Sequence, residues 1–158
     1  MKTKIISLLF LAILTVNCGS PYNTEFPAPD PDKKLKDIYP QKINNVDYEP
    51  ELLDFSKTEY PANSIYGSIA RYGNSSIQIL QFENDEILGD YFKNVIVKSL
   101  ENYSTKFSGN INGKWSARGS NPGKLVAWQS QNWAFIITAE TEEILDEIIE
   151  KFPYISKN

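Results

Sequence analysis

Histidine is absent from this chain, and cysteine occurs once, at Cys18. Without histidine there is no Ser-His-Asp or Cys-His catalysis. There is also no His-containing zinc site and no side chain that changes charge by default near neutral pH. With one cysteine no intramolecular disulfide can form, so an exported domain would depend on its hydrophobic core. Lys and Arg form no run longer than the pair Lys33-Lys34, and the formal net charge is −4. Nucleic-acid binders carry a basic face, so no nucleic acid is expected as a partner. The glycine cluster at 119–123, GSNPG, lacks the GxxxxGK[ST] and GxGxxG spacings of phosphate cradles and reads as a turn. No apolar stretch reaches the roughly 20 residues that cross a bilayer as a helix. The residue pattern points to no cofactor and no metal.

Hydrophobic residues make up 41% and aromatics 13% of the 158 residues, enough for the core of one domain. The longest apolar run stands at the start. Lys2 and Lys4 precede residues 5–16, which are almost continuously apolar. A short apolar region behind a cationic start is the pattern of a secretory signal. Cys18 sits at its end, followed by Gly19 and Ser20. Here the chain resembles the bacterial lipoprotein signal peptide. Leu14, Thr15, Val16, Asn17 and Cys18 stand where that family carries its lipobox, in a relaxed form.

The resemblance implies that residues 1–17 are removed and that Cys18 becomes an acylated N-terminus carrying a diacylglycerol thioether and fatty acyl chains such as palmitate. Each buried acyl CH₂ contributes about 0.8 kcal/mol, so two or three chains hold durably. The protein would be anchored in the cell membrane or outer membrane, facing the extracytoplasmic space. Gly19 is not the aspartate that such lipoproteins carry for inner-membrane retention, which implies the outer membrane in a two-membrane cell.

Residues 18–42 hold five of the nine prolines, Pro21, Pro27, Pro29, Pro31 and Pro40, and show no sustained apolar periodicity. Pro-rich segments are extended spacers. The expected organisation is a signal over 1–17, an acylated tether over 18–42 and a single globular domain over 43–158. Within 43–63, Pro50 to Phe55 predicts one short helical turn with Pro50 at its start. Residues 65–72 and 76–82 read as strands around a Gly73-Asn74 turn. Leu88, Tyr91, Phe92, Val95, Ile96 and Leu100 recur at helical spacing and predict a helix over 85–103. Residues 106–118 read as a strand. Residues 125–130 and 133–139 read as two more, joined at Gln131-Asn132. Thr141 caps a last helix that Pro153 stops. The order β-β-α-β-β-β-α predicts a two-layer α+β fold, a mostly antiparallel sheet with two helices on one face.

If both helices cover one face, aromatic rings on the other lie open. Tyr66, Tyr72, Trp115 and Trp128 are therefore the candidate binding surface. No catalytic residue is singled out. The densest carboxylates, Glu140, Glu142, Glu143, Asp146, Glu147 and Glu150, fall on or just before the last helix and read as its solvated side. The expected function is a lipid-anchored envelope binding module without enzymatic activity, with an envelope protein, a peptide or a glycan as partner. One alternative is a hydrolase such as a glycosidase, built on an Asp/Glu pair in a concave pocket. Another is a structural protein that dimerises over its open sheet face.

Overall fold

The computed structural model describes residues 20–30 and 33–158; the signal segment, Cys18 and Gly19 lie outside the described residues. In chain order the strands are β1 (Tyr22–Asn23), β2 (Lys42–Ile43), β3 (Val46–Asp47), β4 (Glu49–Leu52), β5 (Ile65–Tyr72), β6 (Ser75–Phe82), β7 (Thr105–Ile111), β8 (Lys114–Ser120), β9 (Lys124–Ser130), β10 (Trp133–Ala139) and β11 (Ser156–Lys157). Helix α1 (Asp85–Tyr91) runs on as a π-helical stretch (Phe92–Val97) and closes in a 3-10 turn (Leu100–Asn102). Helix α2 covers Glu142–Lys151, and a short 3-10 turn covers Leu35–Asp37. The main sheet has seven antiparallel strands in the order β4-β5-β6-β10-β9-β8-β7. Helix α1 carries the chain from β6 to the far edge, and β7 to β10 step back strand by strand until β10 pairs with β6. The α+β class and the antiparallel sheet agree with the sequence reading.

Local chemistry explains the elements. Asn84 caps α1 by accepting from the Ile87 N–H at 3.0 Å, and Thr141 caps α2 by accepting from Ile144 N–H at 3.3 Å. Asn112 and Gly113 both have positive φ, 53° and 80°, and turn β7 into β8. That is the Asn-Gly chemistry of a tight hairpin. Residues 106–118, expected as one strand, are thus a two-stranded ribbon. Residues 49–52 form edge strand β4 and not a helical turn. Pro50 lacks an N–H, so it fits an edge and blunts it against further pairing.

The helices lie on opposite faces of the sheet, which corrects the two-layer expectation. Leu88, Phe92, Ile96 and Leu100 of the first helical segment cover Leu80, Phe82, Ala127, Ala134 and Ile136. Leu145, Ile148, Ile149 and Phe152 of the second cover Ile77, Ile79, Val126, Phe135 and Ile137. Each fully buried side chain of this size contributes roughly 1.5–3 kcal/mol. The reason is written in the central strands: β6, β9 and β10 are apolar at both parities, so both of their faces need a cover.

The stretch expected as a spacer is a second correction. Leu35, Ile38 and Tyr39 are buried in the α2-side core together with Ile43. Tyr22 and Ala28 pack against it. The Tyr39 hydroxyl donates to the Ser68 carbonyl at 2.7 Å, and the Pro40 carbonyl accepts from Tyr72 at 2.6 Å. β1 pairs with β11, so Tyr22 and Asn23 are held against Lys157 and Ser156. Both hydrophobic layers, as described, are built between residues 22 and 155.

Candidate functional site

One cross-strand row on the α2 side runs Phe107, Arg118, Val126, Ile137, Ile77 and Ala70, from β7 across to β5. From Val126 to Ala70 the row is buried. Beyond Val126 the row leaves the buried core and continues as half-buried Arg118, its guanidinium 5.0 Å from the centre of the Phe107 ring. Phe107 is 46% exposed, and Ile111, two pleats along the same face of β7, is 66% exposed. This overhang of the β7–β8 ribbon forms one wall of a groove; β1 forms the other.

Two concavities meet there. One, of about 310 Å³, lies among Tyr22, Phe107, Arg118, Lys124, Val126 and Glu142. The other, of about 570 Å³, shares Tyr22, Phe107, Arg118 and Val126 and reaches Ser20, Ile111 and Trp128. The rim carries two acids, and each is engaged. Lys114 Nζ lies 2.6 Å from Glu25, and Lys124 Nζ 2.5 Å from Glu142. The hydrogen bond from Lys124 to Glu142 holds the lysine pKa above its ordinary value. Burial raises the Tyr22 hydroxyl, helped by the negative charges of Glu142 and Asp146.

The sequence-predicted rings do not gather into one surface. Tyr66 is 54% exposed, near the start of β5. Tyr72 is buried, with its hydroxyl used on Pro40. Trp128 is 2% exposed and stacks on Phe135 at 5.1 Å. Trp115 faces the other side of the sheet, half-buried and stacked on Phe92 at 5.7 Å. Helices on both faces leave no open central face for Tyr72 or Trp128 to occupy, which is why that assignment fails for them. Cys18 lies outside the described residues, two positions before Ser20.

Phe107, Ile111 and Arg118 were missed, although the sequence carries a signal for them. Residues 102–139 contain Lys106, Lys114, Arg118 and Lys124 and no Asp or Glu. The chain is acidic as a whole, yet this sector is cationic throughout.

The carboxylates expected of a hydrolase are arranged differently. Glu143, Asp146, Glu147 and Glu150 border a shallow depression beside α2. Lys157 pairs with Asp146 at 2.7 Å and Lys151 with Glu147 at 2.6 Å. The resolved shifts here are downward: a hydrogen bond from Thr141 lowers Glu143, and one from Lys151 lowers Glu147. A glycosidase acid needs a raised pKa, so nothing in this group favours that chemistry. Among the described residues no group of three or more Cys, Asp or Glu side chains is placed to hold a metal ion. No helix among them is long and apolar enough to cross a membrane.

No family model, curated protein or solved structure matches this chain.

Proposed function

We propose that this protein is a lipid-anchored extracytoplasmic module that binds through the groove between β1 and the β7–β8 ribbon, with Cys18 acylated and no catalytic step. The observation that carries the reading is that Ser20, two residues after Cys18, is fixed to the folded domain. Ser20 borders the groove, its carbonyl accepts from Asn158 Nδ2 at 2.5 Å, and the neighbouring Pro21 carbonyl accepts from the Asn158 N–H at 3.1 Å. Two residues span at most about 7 Å. A lipid on Cys18 therefore enters the bilayer within a few ångströms of the folded surface. A free spacer over 18–42 would have allowed a stand-off of roughly 70 Å. An anchored domain of this shape works at the membrane surface, and the groove beside Ser20 is the part of it held nearest the lipid. The outer membrane, where there is one, is the location that Gly19 favours.

The intact mass of membrane-extracted protein tests the anchor. The expected mass is that of residues 18–158 plus two or three acyl chains, abolished in a Cys18→Ala variant. An unacylated mass, with the protein recovered free of membranes, would remove the anchor and with it the membrane-surface reading.

A further inference from the structure

We infer that the groove's ligand is the bilayer itself: Phe107 and Ile111 enter the headgroup layer of an anionic membrane while Lys106 and Arg118 engage its phosphates. This rests on the anchored reading above and adds a substrate to its site.

Three independent features support it. The first is composition. Residues 102–139 are free of acid, and the two rim carboxylates, Glu25 and Glu142, are neutralised by Lys114 and Lys124. Among the described residues neither Arg118, which lies over the Phe107 ring, nor Lys106 makes an ion pair. Basic side chains near an anionic surface are attracted to it within a Debye length.

The second is the placing of apolar side chains. Phe107 and Ile111 are two of the few large hydrophobic residues left exposed, and they share one face of the same edge strand. Aromatic and aliphatic groups flanked by cations are the residue set of interfacial membrane contact. The third is the chain itself: the lipid-bearing residue is two positions from Ser20, which borders the same groove. Arg118 shares the face of the apolar tips, while Lys106, opposite Gly119 in the register, flanks the same edge strand from the α1 side near Glu101, so anchor, apolar tips and both cations line one edge of the sheet. A soluble partner would have to compete with a surface that the anchor keeps permanently at hand.

The test uses residues 18–158 with Cys18→Ser, so that no acyl chain contributes and the anchor is not what is measured. These residues contain both hydrophobic layers described above. Co-sedimentation is compared on vesicles of phosphatidylcholine alone and of phosphatidylcholine with phosphatidylglycerol. Binding to the anionic vesicles is expected, weakening as salt rises. Lys106→Gln with Arg118→Gln should lower it roughly thirtyfold, and Phe107→Ser with Ile111→Ser should also lower it clearly. Leu52→Ser, equally exposed on the opposite sheet edge, should leave it unchanged and serves as the folding-matched control. Binding that ignores phosphatidylglycerol, or falls equally with Leu52→Ser, would overturn the inference. So would capture of a glycan or an envelope peptide without vesicle binding. Intact mass still decides acylation separately, so loss of either conclusion is recognised without the other.

Discussion

Arg118 and Phe107 face each other across the β7–β8 register, with the guanidinium 5.0 Å from the ring centre. An exposed cation–π contact of this kind contributes about 0.5–1 kcal/mol. Arg118→Gln should therefore lower the unfolding free energy by no more than about 1 kcal/mol in urea titrations. A loss several times larger would mean that the pair holds the ribbon together instead of presenting it.

The N-terminal stretch behaves as core. Ile38 is buried against the α2 side of the sheet. Ile38→Ala should cost about 2–5 kcal/mol, measured by chemical denaturation. A spacer residue would cost less than about 0.5 kcal/mol, and that result would free residues 33–42 from the domain.

Two glycines should respond in opposite directions to alanine. A Cβ at Gly89, inside α1, meets only Trp115 Nε1 at 3.5 Å, an ordinary contact. Gly89→Ala should raise stability by up to about 1 kcal/mol, since the helix gains a better former. A Cβ at Gly119 would stand 2.6 Å from Tyr103 Cγ. Gly119→Ala should lower stability by about 1–3 kcal/mol through overpacking. Thermal melts of the two variants, run together, check both signs.

Alkaline pH should weaken the fold through Tyr39 and Tyr72. Burial holds both hydroxyls protonated well above the usual tyrosine range. The unfolded chain resists ionisation less, so this contribution is complete below about pH 10 and is lost as pH rises further. Replacing both with Phe should cost about 1 kcal/mol per lost hydrogen bond near neutral pH and flatten the alkaline decline. An unchanged slope of denaturation midpoint against pH would contradict this.

The strands, both caps and three hairpin turns were legible because each rests on local chemistry: alternation in residues 76–82, Asn84 and Thr141 as caps, and Gly or Asn at turns. Asn112-Gly113 was equally legible as a turn, but the loose alternation around it masked the ribbon it creates. Helix faces were not legible, because periodicity shows that Leu88 and Leu145 are buried but not on which side of the sheet. The doubly apolar strand 133–139 was the clue that both sides are covered. Leu35, Ile38 and Tyr39 have helical spacing, yet they stand among prolines and lysines. Only tertiary contact with Ser68 and the core distinguishes them from a spacer. The Arg118–Phe107 overhang depends on hairpin register and on where the α2-side cover stops, and neither is a local property.

Depth in the bilayer is the most direct test of how the domain sits. Cys18 is the only cysteine, and the proposed acylation would consume its thiol, so a cysteine introduced elsewhere could be spin-labelled alone. Six strand spacings, roughly 29 Å, separate the β7 edge from the β4 edge. In proteoliposomes of the acylated protein, a nitroxide on Ile111→Cys should report headgroup depth, while one on Leu52→Cys should remain in water. Full aqueous exposure at both positions would contradict a domain held with its β7–β8 ribbon against the membrane.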